Sequence, residues 1–424
     1  MTQRSGLIRE TITLVVKEST SGTHPGSGDV RVQLMQNALL ASGFGYEMMP
    51  NDTESPSRID NPAHIRGKKV AKWGPLAWPL RGIPEASRLV AAGSVTKLSD
   101  DYLYEHGYGR RYAAVGTTVS GTSSSTTNID LTSVTGRKAG ELLAIETASG
   151  SYEFGQVSAV GASDVDLVTA LTNAPSTNGR IVRAARNFVL PETRNETLSI
   201  SQKHVGPSVT DEEYRVTGAM GQIKFTFPEF GKIPTASLEG EAMGWEGPTT
   251  LSGPSWGAGT DPADSDMDAQ IPWTPVLYIN GTETVFEPGT FTLEISQKPD
   301  PVGNGAKATG IGGWLDTAGR DAGVAVKWSL SLRMDTAQHA VFDAGTIKSL
   351  MLVCSPGGSA LTTAAVWLLP RVQLTEARPV PISLGAGRIG IKLTGHALRN
   401  TLTPTSSSAQ DTDLARSPLV FGLF

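Results

Sequence analysis

The chain has 424 residues, 39% hydrophobic and 18% charged, with 47 Gly, 26 Pro, a net charge of −5 and a pI near 5.8. The apolar fraction and its periodicity exclude a disordered chain, and the acidic balance excludes the basic stripe of a tight nucleic-acid binder. The single cysteine, Cys354, excludes an intrachain disulfide or a thiolate metal cage.

At about 150 residues per domain, the length predicts two or three domains. Met1–Gly6 lacks the apolar stretch of a signal peptide, and no run approaches about 18 apolar residues. The expectation is a protein made in a cytoplasm, without a membrane span, that leaves by lysis or within a particle.

Residues Thr11–Lys17 alternate, with Ile12, Leu14 and Val16 on one strand face. Val32–Ser42 reads as a weakly helical patch stopped by Gly43. After the polar stretch Asn51–Arg66, two strands around Gly74-Pro75 predict a long hairpin, with Pro79 at a strand end or edge. Pro84–Gly93, with Pro in a first turn and Gly as the stop, predicts a short helix.

Gly116–Asn128 is nearly all Gly, Ser, Thr and Val, the composition of a linker. Behind it, Leu142–Thr147, Tyr152–Val160, Val165–Leu171 and Ile181–Ala185 are evenly spaced short strands. They predict a compact β module, a small barrel, inserted at residues 113–190. The flanks 1–112 and 191–250 form a first β domain. Leu251–Gln270 is a Gly/Pro/Asp-rich linker, and 271–424 a second β domain with a C-terminal arm.

In that second domain, Val324–Arg333 is the clearest strand, and Met334–Gly345 a short helix capped by Asp335. Ala364–Leu374 and Arg388–Thr394 are further strands. Cys354 ends the apolar run Ser349–Cys354 and reads as a buried small hydrophobe rather than a nucleophile. Leu402–Arg416 is a polar arm leading to the apolar end Pro418–Phe424, which needs burial either on its own domain or on a neighbouring subunit.

The two β domains share an echo. Thr197-Leu198-Ser199-Ile200-Ser201-Gln202-Lys203 returns as Thr292-Leu293-Glu294-Ile295-Ser296-Gln297-Lys298, six of seven positions identical, and both copies lead to a Thr-Gly pair, Thr217-Gly218 and Thr309-Gly310. A duplicated β unit explains this better than two chance amphipathic strands.

No catalytic apparatus emerges, and no cofactor is called for. Asp264, Asp266 and Asp268 resemble the start of a calcium loop, but Ala269 stands where Gly is needed and Pro275 where a bidentate Glu belongs. Ser94-Val95-Thr96-Lys97 lacks the companion motifs of acyl-transfer enzymes. Gly310–Gly313 lacks the strand-turn-helix setting of a phosphate cradle. His24, His64, His106, His204, His339 and His396 are widely scattered, without metal-ligand spacing. The one local charge cluster is Arg58, Arg66, Lys68, Lys69, Lys72 and Arg81, which serves a solvated hairpin face or an interaction site.

The hairpin segment Arg66–Leu80, the Thr-Leu-Ser-Ile-Ser-Gln-Lys strand, the run Gly218–Lys232 and the repeated strand together resemble the major tail protein, or tail tube subunit, of tailed bacteriophages. The resemblance implies two tandem sandwich or barrel-forming units with short flanking helices. It implies a structural virion protein whose strands join those of neighbours in rings, the rings stacking head-to-tail into a hollow tube that conducts DNA during ejection. Three chains with pseudo-sixfold symmetry are favoured over six. By the same resemblance Arg58, Arg66, Lys68, Lys69, Lys72 and Trp73 contact the next ring, Asp211, Glu212 and Glu213 are lumen candidates, and Leu419, Phe421 and Phe424 belong to an inter-subunit arm. Partners would be the chain itself, the tape-measure protein and viral DNA in the lumen, and tail terminator and distal tail proteins, in a virion tail assembled in the host cytoplasm. Rival readings are another virion part (a distal-tail, baseplate or decoration protein) and a secreted carbohydrate-binding or hydrolytic β-protein.

Overall fold

The computed structural model describes residues 10–19, 23–32, 34–35, 40–50, 64–82, 99–113, 116–121, 124–175, 177–191, 197–205, 211–242, 244–248, 250–254, 256, 270–296, 325–333, 345–355, 363–381 and 389–424. The chain is mainly β, as its composition and periodicity led one to expect. It begins β1 (Glu10–Lys17), β2 (Val30–Val32), β3 (Ala41–Pro50), β4 (His64–Pro79), helix α1 (Ser99–Tyr108) and β5 (Arg110–Ala113). It continues β6 (Thr117–Thr118), β7 (Asn128–Asp130), β8 (Leu142–Ala148), β9 (Ser151–Val160), β10 (Asp164–Leu167), β11 (Ile181–Ala184) and β12 (Arg186–Val189). Then come β13 (Leu198–Val205), β14 (Glu212–Thr226), β15 (Thr235–Glu241), β16 (Gly244–Glu246), β17 (Pro275–Ile279), β18 (Thr282–Thr284), β19 (Thr292–Ser296) and β20 (Ala325–Arg333). It ends with β21 (Lys348–Cys354), β22 (Ala365–Pro381), β23 (Ile389–Ala397), α2 (Ala409–Arg416) and β24 (Val420–Leu423).

These strands make three antiparallel sheets. The first has eight strands in the order β2-β1-β13-β14-β15-β4-β3, with β16 beside β14. The second has six, β6-β11-β8-β9-β10-β7. A bridge from Val119 to Leu131, with backbone bonds Ser120 N–H to the Asp130 carbonyl (2.9 Å) and Thr132 N–H to the Thr118 carbonyl (2.9 Å), joins its two ends. The sheet therefore closes on itself as a small barrel, which removes its edges. The third has ten strands, built on β18-β17-β21-β22-β23-β20-β19, with β24, β12 and β5 added beside β22.

One apolar core joins the first and third sheets. It runs from Trp73, Trp78 and Ile223 across Tyr104 and Tyr108 of α1 to Trp273, Trp328, Trp367 and Phe421. A second core fills the barrel and reaches the opposite face of the third sheet at Val366, Leu368, Val420 and Phe424. Strands β22 and β24 thus bury both faces. Trp367 and Phe421 point one way and Val366, Leu368 and Val420 the other, as the period of two requires. An unbroken apolar run such as Leu419–Phe424 is the expected sequence for a strand covered on both sides.

Several expectations need correction. The Gly74-Pro75 step is no hairpin turn: β4 runs through it, and its antiparallel partner on the other arm is β3. Val32–Ser42 is not a helix at its ends, because Val32 closes β2 and Ala41 opens β3. Gly116–Asn128 is no linker: it contributes β6, the Val119 bridge and the first residue of β7 to the barrel. The arm Leu402–Arg416 contains α2, capped where the Ser408 side chain accepts from the Asp411 N–H. The helix placed at Pro84–Gly93 lies outside the described residues, and so does the one at Met334–Gly345 except for Gly345, which stands in a turn.

The repeated heptapeptide forms β13 and β19, but in unlike settings. β13 lies between β1 and β14, and Thr197, Ser199 and Ser201 on its polar face are buried. β19 ends its sheet beside β20, with Thr292 and Glu294 exposed. Leu198, Ile200, Leu293 and Ile295 all enter the same core.

Candidate assembly interface

β4 changes neighbours along its length. Lys72–Pro79 is flanked by β15, with pairs from Lys72–Glu241 to Pro79–Thr235. His64–Ala71 pairs with β3 alone among the described residues, from Pro50–His64 to Phe44–Ala71. A two-stranded ribbon therefore leaves the sheet and runs about 25 Å at roughly 3.3 Å per residue. Arg66, Lys68 and Lys69 are carried on it.

Lys72 stands exposed where ribbon meets sheet. Trp73, expected beside it at an inter-ring contact, is instead a core residue at 1% exposure. Its indole N–H donates to the Glu241 carbonyl at 2.9 Å. The reason is alternation: one step along a strand turns the side chain from solvent to core. Arg81, from the same charge cluster, is buried and pairs with Asp100 at 3.7 Å. Arg58 lies outside the described residues.

The acids proposed for a lumen do not act as free charges. Lys203 Nζ sits 2.8 Å from Asp211 and 3.4 Å from Glu213, and hydrogen bonding to Asp211, opposed by burial and aided by Glu213, holds its ammonium above the ordinary lysine range. Glu213 is buried, and its other oxygen accepts the Leu251 N–H at 2.7 Å, so it is corrected from lumen candidate to internal anchor. Glu212 accepts from the Tyr214 hydroxyl at 3.1 Å. The neighbouring His204 imidazole is pushed down by burial, with Glu212 opposing.

The C-terminal arm is also corrected. Leu419, Phe421 and Phe424 are buried in their own chain, and β24 pairs with β12 on one side and β22 on the other. The sequence signal was the apolar run itself, which needed burial but did not name the surface.

Charged groups that sequence reasoning missed cluster around α1. Asp101 has no exposed side-chain surface and pairs with Arg186 and, at 3.0 Å, with Arg111. Arg186 lies on β12 and Arg111 on β5, so one carboxylate holds both stems of the barrel. At the barrel base, Arg137 meets Glu141 at 3.3 Å, both buried. Burial lifts the Glu141 carboxyl to about 7, with Arg137 opposing.

Cys354 is fully buried, and burial drives its thiol well above the ordinary range, as befits a packed apolar residue. Among the described residues no group of three His, Cys, Asp or Glu is placed to hold a metal, and no helix is long and apolar enough to cross a membrane. The segments at Asp264–Asp268, Ser94–Lys97 and Gly310–Gly313 lie outside the described residues, as does His339.

Fold and surface together define a mainly β protein with two large curled sheets on one core, a closed barrel at its side and a basic ribbon at one sheet end. The sequence matches no protein-family model, and comparison with curated proteins also gives no match.

Proposed function

We propose that this protein is a structural subunit that polymerises with its own copies, and that the polymer is the tail tube of a tailed bacteriophage. The observation that carries the proposal is the ribbon of β3 and β4. An isolated two-stranded ribbon is marginal in water, and this one holds Phe44, Tyr46, Met48, Met49, Ile65 and Val70 together with three cations. Such a segment is stabilised by a partner surface. A surface on a second copy, offset from the ribbon, gives a head-to-tail contact, which generates rings or filaments rather than closed dimers.

The resemblance of Arg66–Leu80 and Gly218–Lys232 to tail tube subunits supplies the identity of that polymer. Each large sheet would furnish one tube unit, so three chains close a pseudo-sixfold ring. The barrel would stand at the outside, and no catalytic role is assigned. DNA and a tape-measure protein would occupy the lumen, with terminator and distal tail proteins at the ends.

Negative-stain electron microscopy of the purified chain, with mass from light scattering, tests the proposal. Stacked rings or tubes are expected, and the ring mass distinguishes three chains from six. A strict monomer at millimolar concentration, with or without added phage tail-initiation complex, would move the assignment to a decoration or glycan-binding protein.

A further inference from the structure

The barrel is joined to the body by two stems, β5 entering and β12 leaving, which pair with each other from Arg110–Val189 to Ala113–Arg186. Among the described strands neither stem pairs with any other member of the ten-stranded sheet except β24. β24 lies between β12, through Arg186–Leu423 to Val189–Val420, and β22, through Ala365–Leu423 to Leu368–Val420. The Phe424 N–H donates to the Ala364 carbonyl at 2.8 Å, which extends that pairing to the final residue.

The segment before β24 grips the barrel directly. The Ala139 N–H donates to the Thr405 hydroxyl at 2.8 Å, and Lys138 Nζ to Asp411 at 2.8 Å. Arg110 on the entering stem pairs with Asp413 at 3.0 Å. The Leu190 N–H, just beyond the leaving stem, donates to the Ser417 hydroxyl at 3.1 Å. Gly140 approaches α2 so closely that a Cβ there would collide with the Leu414 carbonyl. Every one of these contacts lies on the barrel base or its stems.

We infer that Thr405–Phe424 is a clasp that fixes the pose of the barrel on the body. β24 supplies the backbone link between the stems and the ten-stranded sheet, and the strap ahead of it holds the barrel base by ion pairs. The barrel closes on itself between Thr117 and Ala184, and the clasp adds Leu414, Val420 and Phe424 to the core that the barrel shares with the third sheet. This inference concerns the chain alone and is independent of the polymer it builds.

Hydrogen exchange read by mass spectrometry on the full chain tests it against two variants, a chain ending after Ser417 and the double substitution Asp411→Asn/Asp413→Asn. The truncated chain also loses Phe421 from the core shared with β14, so some general loss of protection is expected, but exchange at 110–113 and 186–189 is expected to accelerate at least tenfold more than exchange at β13 and β14. In the double variant a several-fold acceleration is expected at 110–113 and 137–141, with β24 unchanged. Unchanged exchange at the stems in the truncated chain overturns the inference. So does an equal acceleration in stems and first sheet, which would make β24 a core strand with no particular hold on the stems. Unchanged exchange in the double variant overturns the role of the ion pairs.

Discussion

The ring of Phe421 stacks on that of Tyr108, with centroids 5.6 Å apart and planes 8° from parallel. Phe421 belongs to the last strand of the chain and Tyr108 to the last turn of α1. Around them Tyr104, Phe188, Phe225 and Trp367 approach Phe421 with centroids between 5.0 and 6.0 Å. Phe421→Ala empties the meeting point of both large sheets and the helix. A loss of about 4 kcal/mol is expected, measured as a lowered midpoint in guanidinium unfolding. A loss below about 1 kcal/mol would show that the C-terminal strand does not sit in this core.

Asp101 is the charge on which that corner depends. Removing it leaves Arg186 and Arg111 without their shared carboxylate, and Arg186 is 1% exposed. Breaking one side of a buried pair strands the other charge, at a cost of about 3–5 kcal/mol. Asp101→Asn is expected to fall in that range, whereas Asp101→Asn combined with Arg186→Met should recover part of it. No recovery in the double variant would place the cost elsewhere than in the stranded cation.

The two copies of the repeated heptapeptide differ at one position, Ser199 against Glu294, and Glu18 gives the reason. Its carboxylate accepts from Thr197 Oγ1 and Ser199 Oγ, each at 2.6 Å, and from the Gly218 N–H at 2.8 Å. A glutamate at position 199 would set a second carboxylate against it. In the second copy the equivalent face is open to solvent and tolerates Glu294. Glu18→Ala is expected to destabilise by about 4 kcal/mol, since three buried donors lose a charged acceptor. Thermal unfolding against wild type reads this, and Ser199→Glu should be as damaging.

Much of this was legible in the sequence, within limits set by physics. β20 alternates, whereas β8 and β9 were marked out by the turn residues Gly140, Ser149-Gly150 and Gly161 that bound them. α1 was missed because its buried residues include Asp100, Asp101 and His106 as well as Leu103, Tyr104 and Tyr108. With polar groups on the inner face, the helical stripe of apolar residues is erased. α2 left a readable mark, Ser408 three residues before Asp411, the spacing of an N-cap pair. The heptapeptide shows the opposite limit: nearly the same letters bury their polar face in β13 and expose it in β19, because only the neighbouring strands differ. For the interface, the cations of the ribbon could be read, but Trp73, Arg81 and Glu213 could not be told from surface residues without knowing which face each strand turns inward.

Glu141 predicts a pH dependence. Its carboxyl rises from 4.5 to about 7 because burial outweighs the nearby Arg137, and Oε2 has no hydrogen-bond partner among the described residues. A raised carboxyl pKa means that the folded chain holds the proton more tightly than the unfolded one. The contribution of Glu141 is therefore most favourable below about pH 4.5, declines through the window to about 7, and is least favourable above it. Relative to Glu141→Gln, wild type should lose roughly 3 kcal/mol between pH 4.5 and 8. Urea unfolding of both chains across that range measures the difference. A flat difference would mean that the carboxyl titrates at its ordinary value.

The ribbon supplies the last prediction, which separates folding from assembly. Lys68 and Lys69 lie on the part of β4 that, among the described residues, pairs with β3 alone. A charge reversal that acts on assembly alone should change folding stability by less than about 0.5 kcal/mol. At an interface, like charges set against acidic groups cost several kcal/mol and slow association. Lys68→Glu/Lys69→Glu is therefore expected to leave the unfolding midpoint within a degree or two of wild type and to abolish or sharply reduce polymer. Sedimentation and electron microscopy on the same samples read both properties. Polymer of wild-type length would remove the ribbon from the contact. Loss of polymer with loss of fold would be read against Lys68→Gln/Lys69→Gln, which removes the attraction without the repulsion and should polymerise at higher protein concentration.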